Sequence, residues 1–136
     1  ISQELVQGQE YTIDVFCVEN GEPIYIVPRK RLKVVDGKSV NGVTVKNDKL
    51  NEYVRKICDE LDFLGPVNIQ CFESKNDVKF IEINPRIGGG MGLSFEATEN
   101  WIGLAVDHFL GGGEVSSKGV NHGVKMMRYY DEVFVE

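Results

Sequence analysis

The sequence predicts an α+β fold, an antiparallel β-sheet with helices packed on one face, and three observations predict it. Strand-like runs follow one another across short turn signals such as Asn20-Gly21 and Asp36-Gly37, which join antiparallel neighbours. Residues 48–62 place Leu50, Val54, Ile57, Cys58 and Leu61 at the helical period, the mark of a helix with one face on a core. Residues 101–110 are largely apolar and stop at Gly111-Gly112-Gly113, as a second helix would.

In chain order, residues 10–19 (EYTIDVFCVE) alternate β-branched and aromatic residues and read as a strand. Asn20-Gly21 turns the chain because both residues accept positive φ. Residues 24–35 (IYIVPRKRLKVV) return it, with Pro28 arguing for an edge or a bulge. A less regular stretch runs from Asp36-Gly37 to Asn47. Asp48 is the expected N-cap of the first helix, and Gly65 ends that unit. Residues 66–73 (PVNIQCFE) and 78–84 (VKFIEIN) then pair around Lys75-Asn76-Asp77. A glycine-rich loop over residues 88–92 leads to helical segments at 93–100 and 101–110. Residues 123–130 and 133–135 are expected to add one or two strands.

The 136 residues suit a single domain with one core. No apolar run approaches the length needed to cross a membrane as a helix, and a net charge of −6 argues against a broad nucleic-acid surface. Cys17, Cys58 and Cys71 form no C-x-x-C pair, and His108 and His122 add no zinc spacing. They read as reduced core thiols of a cytoplasmic protein. The chain opens on Ile1, within sequence that reads as structured, so we expect residues 1–136 to be one domain of a longer protein.

The chemistry gathers on the second hairpin. A three-residue loop at Lys75-Asn76-Asp77 sets Gln70 opposite Glu82, Asn68 opposite Asn84 and Phe72 opposite Phe80 on one face. The other face then holds Val67, Ile69, Cys71, Ile81 and Ile83, an apolar set suited to packing beneath helices. Glu82 and Asn84 are about 6.6–6.8 Å apart along their strand, and offer the hard oxygens that Mg²⁺ prefers. Pro85 holds Asn84 extended, and Arg86 presents a fork suited to phosphate. Gly88-Gly89-Gly90 allows close backbone approach to a ligand. A solvated polar strand with a flexible loop is the plainer reading of the same pattern.

At these residues the chain resembles the ATP-grasp superfamily, in the branch of the carbamoyl-phosphate synthetase large subunit and carboxylate–amine ligases. N-x-Q-x-x appears as Asn68-Ile69-Gln70-Cys71-Phe72, and E-x-N-P-R as Glu82-Ile83-Asn84-Pro85-Arg86. The resemblance implies the C-terminal part of an ATP-grasp domain, binding ATP with Mg²⁺ or Mn²⁺. It implies that Glu82 and Asn84 hold the metal, with Gln70 beside them as a further metal and nucleotide ligand, and that Arg86 meets phosphate or an acyl-phosphate. Residues 3–14 (QELVQGQEYTID) look like the family's hinge strand. Glu10 would then bond the ribose, the backbone of Glu4 and Val6 the adenine edge, and Gln3 would sit near its amino group. Arg29 and Arg31 resemble residues directed at phosphate or substrate, although a two-residue turn at Asn20-Gly21 also puts Arg31 opposite Glu10 as an ion pair.

The implied function is ATP-dependent ligation of a small-molecule carboxylate to an amine, with a non-catalytic nucleotide-binding or interaction module as the alternative. The family's preceding lobe, with its phosphate lysines and glycine-rich flap, is not within these residues, so the implied partner is the N-terminal part of the same chain. No nucleic acid or membrane partner is implied. Other nucleotide motifs fail: Gly37-Lys38-Ser39 has Leu32 where a P-loop needs glycine, and residues 88–92 would need glycine at Leu93 for G-x-G-x-x-G. Serine hydrolase chemistry lacks G-x-S-x-G.

Overall fold

The computed structural model describes residues 2, 4–75, 77–129 and 131–135. The described residues form six strands: β1 (Gln9–Cys17), β2 (Pro23–Val35), β3 (Lys38–Thr44), β4 (Gly65–Glu73), β5 (Val78–Asn84) and β6 (Lys125–Met127). Three helices accompany them: α1 (Asp48–Leu61), α2 (Gly92–Ala97) and α3 (Trp101–Phe109). The sheet order is β5-β4-β1-β2-β3-β6, and each neighbouring pair is antiparallel. No helix is long and apolar enough to cross a membrane.

The antiparallel α+β architecture is the one expected, but the helices occupy both faces rather than one. Alternation along β1 sends Ile13, Val15 and Cys17 to a core with Leu50, Val54 and Cys58 of α1. The intervening Phe16 joins Tyr25, Val27, Met91 and Trp101 on the opposite side. There Trp101 lies edge-on to Phe16 at 5.8 Å and stacks on Tyr25 at 5.9 Å. Trp101 is the one buried residue of α3; Ile102, Val106 and Phe109 stay exposed.

α1 forms where its pattern predicts, with small differences at its ends. Asn47, not Asp48, is the N-cap, its side-chain oxygen accepting from the Leu50 N–H at 3.0 Å. The helix closes on Asp62 in the left-handed region (φ 43°), three residues before Gly65. Leu61 is 53% exposed rather than part of the core. Residues after Gly37, which carry no clear alternation, form β3. The Asp36-Gly37 turn joins it to β2, with Val35 facing Lys38. Pro28 sits in an interior strand, yet its carbonyl accepts from the Val45 N–H, just past the end of β3. Its missing N–H thus faces that side, where the ladder has stopped. In the tail only Lys125–Met127 is a strand; residues 133–135 are not, and Tyr130 lies outside the described residues.

Both chemistry-bearing hairpins reach the anticipated register by an indirect route. Asn20 and Gly21 adopt positive φ (59° and 71°), and the Glu22 N–H bonds the Glu19 carbonyl. Cys17 then faces Pro23, one residue out of step, and the register is restored by Phe16 opposite Tyr25. A side chain at Gly21 would meet the Cys58 carbonyl at 2.6 Å, so this turn packs on the end of α1 only as glycine.

The β4–β5 loop spans four residues (74–77), not three, so Glu73 faces Val78 and Cys71 faces Phe80. An irregularity after Gln70 takes up the offset, and Gln70 faces Glu82 and Asn68 faces Asn84 as anticipated. Near the turn the anticipated pairing fails. Phe72 faces Lys79, while Phe80 turns to the α1 side against Tyr53. Of the apolar set, Val67, Ile69 and Cys71 are fully buried, but Ile81 and Ile83 on the edge strand are 47% and 36% exposed.

Candidate functional site

The sheet face opposite α1 carries a polar band. Alternation puts Thr12 and Asp14 of β1 on it, and cross-strand pairing adds Gln70 and Asn68 of β4 and Arg29 of β2. Asp14 is fully buried and Arg29 is 2% exposed. Arg29 forks onto the carboxylate, Nε to Oδ2 at 2.6 Å and Nη2 to Oδ1 at 3.0 Å. Asn68 Nδ2 donates to Oδ1 at 2.6 Å, and Ser94 Oγ of α2 donates to Oδ2 at 2.5 Å. Four donors saturate one buried carboxylate, which compensates its desolvation and fixes the guanidinium.

This network explains two of the loop glycines. A Cβ at Gly90 would lie 2.7 Å from Arg29 Nη1, and one at Gly88 would lie 2.9 Å from Asn68 Nδ2. The loop after β5 therefore crosses the polar face in contact with the network, and a Cβ at either position would force the loop or the side chain beneath it to shift. At its start the Arg86 N–H bonds the Asn84 carbonyl at 2.8 Å, a tight turn around Pro85.

A second chain of contacts runs parallel to the first. Arg31 Nη1 meets Glu10 Oε1 and donates to Gln70 Oε1 at 3.1 Å, while Nη2 donates to the Gly37 carbonyl at 2.8 Å. Gln70 Nε2 in turn donates to Glu82 Oε2 at 2.7 Å. Both ends of the Gln70 amide are thus committed, its oxygen to a cation and its nitrogen to a carboxylate. The opposite amide orientation would set N–H groups against the guanidinium. Arg31 Nε is buried with no partner among the described residues.

Above the band lies a cavity of about 380 Å³. Arg29, Arg31, Asn68 and Gln70 form its floor, and Gly88, Gly89, Gly90 and Arg86 one wall. Lys38 at the start of β3 and Arg128 after β6 also line it. Arg128 is positioned by its N–H to the Val40 carbonyl at 2.9 Å and by its guanidinium to the Gly89 carbonyl.

The structure brings together Arg29, Arg31, Gln70 and Arg86, with Glu82 one hydrogen bond away and Asn84 at the β5 end. Glu10 is engaged with Arg31, in the cross-strand pairing that the turn allowed. Glu4 and Val6 lie apart, at a second hollow of about 240 Å³ beside Phe72 and Lys79, where Lys79 Nζ meets the Glu4 carboxylate at 3.0 Å. Gln3 falls outside the described residues. The sequence reading missed Asp14, Ser94, Lys38 and Arg128. Asp14 had a signal, an acid interrupting apolar residues at the β period; Arg128, which reaches the site through β6, had none.

The same fold recurs in solved enzymes. Biotin carboxylase from Campylobacter jejuni, in a β,γ-ATP complex, superposes with a TM-score of 0.70 at 14% identity, over 88% of this chain and 29% of that one. The biotin carboxylase domain of Hydrogenobacter thermophilus 2-oxoglutarate carboxylase, with MgADP, ADP and bicarbonate, gives 0.66 at 13% identity, covering 86% and 28%. Rhizobium etli pyruvate carboxylase gives 0.67 at 16%, covering 85% and 13%. The chain thus spans less than a third of each of these enzymes. The class these likenesses define is the ATP-grasp fold. A family model described as ATP-grasp in the biosynthetic pathway with Ter operon matches residues 1–132, and the chain belongs to that family. No curated protein sequence matches it.

Proposed function

We propose that the polar face is one half of the nucleotide and metal site of an ATP-dependent ligase. The reaction joins a carboxylate to an amine through an acyl-phosphate, and the preceding lobe of the full-length protein completes the site. The observation that carries this reading is the continuity from Glu82 through Gln70 to Arg31, beside a wall formed by Arg86 and the loop glycines. Glu82 and Asn84 offer a carboxylate and an amide oxygen on one strand, a sparse hard-oxygen set that suits Mg²⁺ or Mn²⁺. Bound there, the cation would neutralise charge on the transferring phosphoryl group. Gln70, its oxygen already held by Arg31, orients Glu82 rather than ligating the metal.

In this reading a carboxylate oxygen of the acid attacks the γ-phosphorus of ATP, and the bond to the β-phosphate oxygen breaks to release ADP. The amine nitrogen then attacks the acyl carbon, expels inorganic phosphate and loses a proton. Arg86 faces the charge that builds on the phosphoryl oxygens, and Arg29, locked by Asp14, contributes a fixed positive field that needs no reorganisation. At the second hollow, the backbone of Glu4 and Val6 would meet the adenine. Glu10 serves the ribose only by sharing its carboxylate with Arg31.

Metal-dependent ATP turnover by the full-length protein, followed as phosphate release with a panel of acids and amines, tests the proposal. Arg86→Ala should lower kcat about 10²–10³-fold, as loss of a transition-state donor does. Gln70→Ala should raise the metal concentration needed for half-maximal turnover about 10–100-fold, as loss of a ligand-orienting residue does. Nucleotide binding without turnover would favour a non-catalytic module. Unchanged turnover in both Glu82→Ala and Asn84→Ala would remove the metal assignment.

A further inference from the structure

The cavity is lined by more cations than its own carboxylates compensate. Five cationic side chains line it: Arg29, Arg31, Lys38, Arg86 and Arg128. Two are compensated within the protein, Arg29 by Asp14 and Arg31 by Glu10. That leaves Lys38, Arg86 and Arg128 with no carboxylate partner among the described residues, in a chain whose net charge is −6. Uncompensated cations gathered against the prevailing charge repel one another unless an anion joins them.

Their placement divides the charge into two groups. Arg86 lies two residues past the end of β5, the strand of Glu82 and Asn84, at one edge of the sheet. Lys38 begins β3 and Arg128 follows β6, at the opposite edge. The glycine loop spans the interval, with Gly88 over Asn68, Gly90 over Arg29, and the Gly89 carbonyl holding Arg128. Arg128 is therefore aimed by the same loop that carries the phosphate wall.

We propose that the acid substrate is dianionic, a dicarboxylate whose reacting carboxylate lies beside Arg86 while its second anionic group is bound by Arg128 and Lys38. This rests on the ligase reading above and deepens it, because it makes the Arg128 end of the cavity a specificity pocket rather than part of the triphosphate site. The planar fork of Arg128 suits a carboxylate bound through both oxygens, and Lys38 adds a point charge.

The test is calorimetric titration of the full-length protein, saturated with Mg²⁺ and a non-hydrolysable ATP analogue, with succinate and glutarate against butyrate and pentanoate. A dicarboxylate should bind at least about 10-fold more tightly than the monoacid of equal length, one ion pair's worth in a partly desolvated site. R128Q should abolish that preference, K38Q reduce it, and R128K retain part of it, with affinity for the ATP analogue within about two-fold throughout. Equal binding of mono- and dicarboxylates, no binding of either, or a preference that survives R128Q would overturn the proposal. So would R128Q weakening the ATP analogue as much as the acid, which would return Arg128 to the triphosphate. Failure of the ligase reading itself is separable, since it appears as Mg²⁺-independent binding of the analogue before any acid is added.

Discussion

Without its carboxylate, Asp14 would leave the guanidinium of Arg29 buried between Asn68 and Ser94 with no counter-charge. Breaking a buried pair by removing one partner costs about 3–5 kcal/mol, and Asp14→Ala should lose that much in a denaturant titration. Gly90→Ala acts on the same network from the other side. Its Cβ would fall 2.7 Å from Arg29 Nη1, so the loop must lift, and catalysis should suffer more than folding. Phosphate release reduced at least about 10-fold, with a melting temperature within a few degrees of wild type, is the expected outcome. These residues also mark where sequence alone stops. The pairing of Gln70 with Glu82 and of Asn68 with Asn84 was legible because strand spacing sets which residues share a face. Asp14 was not, because a buried acid is recognised by its partners, and Arg29, Asn68 and Ser94 are 15, 54 and 80 residues away along the chain.

At the scale of elements, strand alternation and turn type made most of the sheet legible, while compensating irregularities hid in the register. A one-residue slip moves every side chain to the other face, yet both hairpins slip and recover before reaching the polar residues. The near-turn pairing of Phe72 and Phe80 was therefore misread while the Gln70–Glu82 pairing was not. The helix boundary shows a similar contest. Asn47 and Asp48 are both good caps, and Asn47 caps because its side chain serves twice, accepting from Leu50 N–H and donating to Glu73 at 2.9 Å. Asn47→Ala should cost about 1 kcal/mol, whereas Asp48→Ala should change stability far less. Leu50→Ala, at a fully buried site, should cost about 2–5 kcal/mol. Equilibrium unfolding of the three variants orders them, and an equal effect at Asn47 and Asp48 would displace the cap assignment.

For the whole molecule, the two faces of the sheet are joined by contacts of unequal durability. The aromatic core of Trp101, Tyr25 and Phe16 holds α3 through ring contacts, while His108 at its end bridges the Gly113 carbonyl (2.7 Å) and Glu19 of the first turn (2.8 Å). The Gly113 carbonyl, and after it the Glu19 carboxylate, hold the His108 pKa above its usual 6.5. Glu19 is held below its usual 4.5 by its own backbone N–H and then by His108. His108 therefore contributes stability that is fully present below pH 6.5 and lost as pH rises through its raised pKa. The Glu19 contribution is present above pH 4.5 and lost as pH falls through its lowered pKa. Glu19→Gln should bring the His108 pKa, read by NMR, down only in part, because the Gly113 carbonyl remains. A full return to 6.5 would make the carboxylate the dominant cause. The thiols add a further check: burial pushes Cys71 up to about 12, and all three cysteines are buried, so alkylation should proceed only as fast as the protein opens.

The chain covers less than a third of the enzymes whose fold it shares. The β5 edge, with Ile81 and Ile83 exposed beside Glu82 and Asn84, carries the central claim. Binding of Mn²⁺ with an ATP analogue to the full-length protein, followed by the electron paramagnetic resonance of the metal, tests it most directly. A bound-metal signal that requires the nucleotide is expected, with affinity at least about 10-fold weaker in Glu82→Gln and Asn84→Ala and about 10–100-fold weaker in Gln70→Ala. An unchanged affinity in both Glu82→Gln and Asn84→Ala would contradict it, and would place the metal on residues other than this strand.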